Sequence, residues 1–427
     1  MASTYLSKVS ATNDQKKLTI SVWVKINKVQ EQMIVNNYNN GSYWASLYFG
    51  SYVLKVRSTE KYNDTNAWYH IVANYDCSLS TPTAKLFVNG AEVNYLHQTI
   101  YSQDATTSWG LNYNFDIGKG TDLGGNNFDG IMSEFFYIQG YTHDASTFGE
   151  TDSTTGEWKP KTGITGLNYD GTGGNSCYLK FENSSNMDLD SGSNNISLTT
   201  SGTLSQTQDN PSNNFSTLNW NANKNANQTF TNGNTVHNCS TNWCGAVSTL
   251  GAYAGKYYAE AKITDKDNVS IGVCQSNGDT FENLSTANNN RIGKYSDGWG
   301  WDGNGTAAQK YHDSSASSYG SALSVNDIFM VAMDVTGGKV YFGKNGTWFD
   351  SSNPATGTSP AFTGETFTES MHFASGSETG IIQWNFGNGY FGTTAISSEG
   401  TNASGIGKFE YDVPSGYTAL STKGLNE

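Results

Sequence analysis

The chain has 427 residues, a formal net charge of −14, only 15% charged residues, 13% aromatics and 47 glycines. That length holds two or three domains, and the aromatic content excludes a disordered chain despite the polar composition. No Lys/Arg cluster offers a basic face for nucleic acid or for an anionic membrane, and no run approaches the ~20 apolar residues of a membrane span. Short segments bounded by Gly, Asn, Ser and Thr predict an all-β protein. Residues 1–10 lack the apolar core of a secretory leader, and five cysteines at scattered spacing form no disulfide framework, so folding in a cytoplasm is expected.

In the first part of the chain, Leu18, Ile20, Val22, Val24 and Ile26 alternate with Thr19, Ser21, Trp23 and Lys25, a period-2 strand with one buried face. Strands are also expected at Gln32 to Asn36, Tyr43 to Phe49, Val53 to Arg57 and Trp68 to Tyr75. Lys85 to Val93 reads as a hairpin turning at Asn89-Gly90. Asn114 to Gly118 and Asp129 to Ile138 follow, and Cys177 to Phe181 returns as a closing strand. Many short strands at this turn density describe an antiparallel sandwich over residues 1–182.

The ordered set Ile20–Ile26, Trp68-Tyr-His-Ile-Val, Leu86-Phe-Val-Asn-Gly-Ala, Phe115-Asp-Ile-Gly and Phe128-Asp-Gly-Ile-Met-Ser-Glu-Phe resembles the laminin-G-like, concanavalin A-like jelly roll. That family includes lectins and glycoside hydrolases. A retaining hydrolase needs two carboxylates about 5 Å apart, and in the hydrolase branch these sit on one strand. The nearest pattern here, Glu150-Thr-Asp152 with Glu157 beyond Gly156, falls in a Thr/Gly-rich loop, so no catalytic residue is assigned. Calcium is the one cofactor the resemblance allows, with Asp116, Asn126, Asn127 and Asp129 as oxygen donors in loops or at strand ends. The same residue types are ordinary turn-formers. The next segment, Asp144 to Lys161, resembles one that follows a laminin-G-like module in virion proteins of tailed bacteriophages, particularly marine ones. It reads as a helical turn, Ala145 to Phe148, then an extended arm with Trp158 and Pro160 that straps the sandwich edge.

Residues 183–216 are Asn/Ser/Thr-rich and are expected to be a linker holding the domain boundary. Residues 217–427 then give alternating or apolar strands at Gly255 to Ile263, Val269 to Cys274, Gly298 to Asp302, Met371 to Ala374 and Gly380 to Phe386. A hairpin pairs Phe329 to Val335 with Lys339 to Gly343 through Thr336-Gly337-Gly338, and a second turn follows at Asn345-Gly346. Gly255-Lys-Tyr-Tyr-Ala-Glu260, Ile271-Gly-Val-Cys274, Asp327 to Asp334, Gly338 to Trp348 and Trp384-Asn-Phe-Gly387 resemble the SPRY (B30.2-like) sandwich, whose members are binding modules. His237, Cys239, Cys244 and Cys274 are too loosely spaced for structural zinc. A paired or packed Cys239 and Cys244 and a core Cys274 are expected instead.

Trp299, Trp301, Asp302, Tyr311 and His312, with Tyr319, are the richest aromatic-polar cluster and the candidate ligand site. Aromatic faces stack on sugar C–H surfaces and the polar groups bond hydroxyls. On a period-2 strand the two tryptophans are equally core positions, the reading favoured for a sandwich. Tyr311 and His312 are the better surface candidates.

Together the resemblances imply two tandem antiparallel β-sandwiches in a non-enzymatic virion protein, made in a host cytoplasm. A head decoration, a short appendage or a fibre tip fits better than a fibre shaft, because no heptad run is present. The implied partners are other virion proteins and host-surface polysaccharide, and a homotrimer is the assembly seen in many such proteins. A purely structural capsid or tail protein and a jelly-roll depolymerase are the alternatives.

Overall fold

The computed structural model describes residues 4–427 except 15, 40–42, 51–52, 55–61, 94–101, 106, 110, 121–123, 170–173, 223–224, 242, 284–290 and 304–307. Two compact units divide the chain, Met1–Gln206 and Thr207–Glu427. Both are built almost wholly from antiparallel strands, as expected.

In the N-terminal unit, one six-stranded sheet runs Thr199–Ser201, Tyr5–Val9, Asn114–Ile117, Gln32–Asn39, Tyr43–Gly50, Val53–Leu54. The last three residues of the expected Val53 strand, Lys55, Val56 and Arg57, lie outside the described residues. The second sheet runs Cys177–Leu179, Gly130–Gln139, Lys17–Ile26, Tyr69–Asp76, Thr83–Val88, Ala91–Glu92. Leu18, Ile20, Val22, Val24 and Ile26 point into a core shared with Ile34, Val35, Leu47, Phe115 and Ile117 of the first sheet. The Asn89-Gly90 turn forms as expected, with φ of 49° and 81°.

The opposite face of Lys17–Ile26 was expected to be solvated, yet the strand is buried on both sides. Residues 144–169 are the reason. They lie across the outer face of the second sheet, not along the sandwich edge. A short 3-10 turn, Ala145–Thr147, leads into the hairpin of Gly149–Thr151 and Trp158–Pro160. Ala145, Phe148, Trp158, Ile164, Leu167 and Tyr169 cover Val72, Phe87, Phe136 and Ile138. Trp158 is clamped between two glycines: a Cβ at Gly90 or Gly149 would lie 2.6 or 2.5 Å from its ring. Its indole N–H donates to His70 Nδ1 at 2.9 Å, and His70 stacks on Trp23 at 4.6 Å. With Nδ1 accepting, His70 Nε2–H donates to Ser21 Oγ at 2.9 Å, so the buried imidazole is neutral and fully used. Trp158→Ala removes the ring and its hydrogen bond, for an expected loss of about 2–4 kcal/mol. A rise in binding of a hydrophobic dye, as the apolar face uncovers, checks this; unchanged dye binding and melting would show that the strap is held without Trp158.

The segment expected as a linker is instead built into both units. Thr199–Ser201 pairs with Tyr5–Val9, and Asp190 accepts from the amides of Tyr178, Gly192 and Ile196. Phe215 is a core residue of the C-terminal unit. Low charge and many Asn/Ser residues did not prevent pairing, because these side chains satisfy the backbone locally.

In the C-terminal unit, four of the expected strands merge into two. Lys256–Gln275 and Met371–Asn385 pair antiparallel along nearly their whole lengths, with one irregularity between Ile263 and Asp265. Polar stretches in their middles, where no strand was expected, stay in the ladder. The hairpin of Ile328–Asp334 and Lys339–Lys344 forms as expected, Thr347–Trp348 continuing beyond Asn345-Gly346. Phe329, Val331, Val340 and Phe342 enter a core with Trp299, Trp301, Phe373, Ile382 and Trp384. The other face of this hairpin is buried as well. Met330, Ala332 and Tyr341, with Tyr258, are covered by Phe409, Val413, Tyr417 and Ala419 of the C-terminal tail. Cys239 and Cys244 form a disulfide, which removes both as zinc ligands, and Cys274 is a buried free thiol.

One buried carboxylate joins tail to sheet. Glu260 Oε1 accepts from the Tyr258 hydroxyl at 3.0 Å and the Tyr411 amide at 2.8 Å. Its Oε2 accepts from the Glu410 amide at 2.9 Å and the Asn385 side chain at 3.3 Å. Asn385 in turn holds the Gly387 and Gly389 amides and the Lys408 carbonyl.

Candidate ligand-binding site

The strand Gly298–Gly303 lies between Lys256–Gln275 and Gln309–His312, with Ser315–Ser318 as the open edge. Tryptophan and glycine alternate along it, as the sequence predicts. The glycines are required: a Cβ at Gly300 would lie 2.1 Å from the Ile292 carbonyl oxygen, which crosses that face.

Cross-strand register therefore divides the five predicted residues between two faces. Trp299, Trp301 and His312 share the core face; Asp302 and Tyr311 share the other. Trp301 is wholly buried against Phe329 and Phe349, and its indole N–H donates to the Tyr319 carbonyl at 3.1 Å. It is a packing residue. Asp302 is also wholly buried and meets Arg291 Nη1 at 3.2 Å, while the Arg291 guanidinium lies 5.1 Å over Trp243. Tyr311 is half-buried beside these.

Trp299 is 2% exposed and stacks on His312 at 5.0 Å and 12°. His312 Nδ1–H donates to the Gly298 carbonyl at 2.7 Å, which leaves Nε2 as the ring's acceptor. Phe367 meets Trp299 in a T-shaped contact at 4.9 Å, and Phe362 meets His312 at 5.9 Å. Lys310, on the same face, donates to the Ala361 carbonyl at 2.7 Å and passes over Tyr319 and Phe362. Sequence reading missed Phe362, Phe367, Lys310 and Arg291. Phe367 carried a readable signal, a lone large aromatic in the polar run Thr363-Gly-Glu-Thr-Phe-Thr-Glu369.

The metal candidates of the N-terminal unit are spoken for by protein donors. Lys119 Nζ is 3.5 Å from Asp116; Asn127 accepts the Gly120 amide; Asp129 is held by Asn27 and Lys28, both at 2.8 Å. The Asn126 carbonyl accepts the Met33 amide. Among the described residues no group of three or more His, Cys, Asp or Glu converges. The Asn127 and Asp129 side-chain oxygens are thus engaged by protein donors. Glu150 and Asp152 lie on the exposed strap hairpin, both facing Lys159, at 3.8 and 2.8 Å. No helix among the described residues is long and apolar enough to cross a membrane.

Comparison with known proteins agrees with this architecture. Residues 2–139 match the family model of the concanavalin A-like lectin/glucanases superfamily, of laminin-G type, and residues 256–388 match that of the SPRY domain. A TRIM65 PSpry domain is similar over 40% of this chain and 88% of its own, at 15% identity and a TM-score of 0.31. Stonustoxin is similar over 40% of this chain but only 27% of its own, at 17% identity and a TM-score of 0.29. No curated protein matches.

Proposed function

The chain carries a concanavalin A-like domain followed by a SPRY domain, and from this we propose that it is a non-enzymatic virion structural protein of a tailed bacteriophage. It serves as a head decoration, a short appendage or a fibre tip, and its sandwiches bind host-surface glycans. The observation that carries the reading is the order of parts: concanavalin A-like domain, strap, then SPRY domain. The strap is the Asp144 to Lys161 segment whose sequence resembles phage virion proteins, and it is an integral layer of the first unit. The Lys159 hydrogen bond, with the Thr154 and Thr155 amides, holds the Asp152 carboxyl well below the usual range, which disfavours it as the general acid of a hydrolase pair.

A second reading, binding to other virion proteins alone, is favoured by the same strap, since it seals the broad face of the second sheet. Two measurements decide. Mass spectrometry of purified virions should find the protein at a fixed copy number. An array of host polysaccharides should bind the purified chain without releasing reducing ends. Absence from virions overturns the phage assignment, no glycan binding leaves the structural reading, and reducing-end release restores the depolymerase.

A further inference from the structure

We propose that Trp299 and His312 form a site for one neutral sugar unit, and that Phe367 occupies the sugar's place in the structure described here. This rests on the glycan-binding reading above and names where in the SPRY domain binding occurs.

Three observations point to a ligand. Among the described residues nothing accepts the Trp299 indole N–H, although the side chain is 98% buried. Buried donors are almost always paired, so this one marks a position where a partner is missing. Next, the stacked neighbour supplies the complementary group. With Nδ1–H committed to the Gly298 carbonyl, His312 Nε2 accepts. A donor and an acceptor on adjacent stacked rings match a hydroxyl, which accepts through oxygen and donates through hydrogen. A sulfate or carboxylate offers only acceptors and leaves His312 Nε2 unserved.

The third observation is the roof. Phe367 is the one large apolar side chain between Thr363 and Ser370, an otherwise polar and largely exposed loop. Few bonds tether the loop near it: Gln275 Oε1 accepts from the Thr368 amide and hydroxyl and from the Glu369 amide, and the Glu365 amide donates to the Gly338 carbonyl at 3.3 Å. Lifting Phe367 uncovers Trp299 surface without disturbing a strand. A sugar's C–H face then replaces the phenyl ring against the indole, and its hydroxyl reaches the indole N–H. Asp302 and Tyr311, on the far face of the sheet, take no part.

The test follows the Trp299 indole resonance by 1H–15N spectroscopy in the full chain, assigned by its loss in Trp299→Phe. Glucose, galactose and N-acetylglucosamine serve as probes at millimolar concentration, with sulfate as the acceptor-only anion control. At least one sugar should shift the signal saturably, and sulfate should not. Phe367→Ala, on an exposed loop, should lower that sugar's Kd by roughly 5-fold or more, because the roof contact no longer competes. A signal unmoved by every sugar in both wild type and Phe367→Ala overturns the proposal, as does a response to sulfate alone. Polysaccharide binding on an array with a silent Trp299 overturns this site and leaves the function standing. A responsive Trp299 with no host polysaccharide bound does the reverse.

Discussion

Glu260→Gln is expected to cost about 2–4 kcal/mol and to free the C-terminal tail before the rest of its unit unfolds. Burial pushes the Glu260 carboxyl up to about 7, against the pull of the Glu410 and Tyr411 amides, the Tyr258 hydroxyl and the Asn385 side chain. All four partners are donors. Glutamine keeps one acceptor oxygen and turns an NH2 group toward the other two donors, so the substitution is isosteric yet electrostatically inverted. The tail is held as well by the apolar layer of Phe409, Val413, Tyr417 and Ala419, by the pairing of Thr418–Ala419 with Tyr257 and Tyr258, and by the Lys408 amide on the Gly387 carbonyl, so Glu260 governs the stretch around Glu410 and Tyr411. Hydrogen exchange should therefore rise first at the Glu410 and Tyr411 amides, and the urea midpoint should fall. Glu260→Leu, which removes both acceptors, should be worse. Protected Glu410 and Tyr411 amides in the leucine variant would show that the tail is held without Glu260.

Acidification is expected to weaken the N-terminal unit first. Burial lowers His70 to about 3 and His237 to about 4, and lowers His372 and His143 as well. A histidine lowered on folding contributes fully above its unfolded value of 6.5. That contribution is lost as pH falls toward the folded value, because only the unfolded chain takes up the proton. At about 1.4 kcal/mol per pH unit, His70 alone carries roughly 5 kcal/mol across this window. Glu134 opposes it in the same unit, raised by burial though held down by Tyr178, and is the smaller effect. In the C-terminal unit the balance is closer. Glu260 is raised, so its contribution is full below 4.5 and is lost as pH rises to about 7, opposite in sign to His237 and His372. Between pH 6.5 and 4.5 the N-terminal unit should lose protection while the C-terminal unit holds. Exchange-derived protection factors for Lys17–Ile26 and Tyr69–Asp76 against Ile328–Asp334 read both. His70→Phe, which keeps an aromatic ring on Trp23, should flatten the N-terminal response. Equal pH slopes in the two units would sink the assignment to His70.

The hairpin around Thr336-Gly337-Gly338 was legible because its information is local: alternating apolar residues and turn residues with positive φ at Gly338, Asn345 and Gly346. The alternation of Lys17–Ile26 was equally plain, and every residue faces the way its parity predicts. What covers each face was not legible. Thr19, Ser21 and Trp23 look like a solvated row until the strap lies on them. The merged strands were hidden for a related reason. Asp265 and its neighbours fall between two expected strands, and the facing segment of Met371–Asn385 keeps them extended.

The candidate site divides along the same line. Residue type and period placed Trp299 and Trp301 on one side of a strand, and that holds. Whether such a residue stacks on a ligand or on the protein depends on what arrives from elsewhere in the chain. Trp301 meets Phe329, Phe349 and the Tyr319 carbonyl, partners distant in sequence, and becomes core. Trp299, two residues earlier, meets His312 and Phe367 and keeps its N–H unpaired. The sequence by itself determined which strands form, which way their side chains point and which turns join them, because these follow from backbone geometry at neighbouring positions. Only the tertiary structure decided which faces are sealed and which buried groups find partners, because those contacts join residues that no local pattern connects.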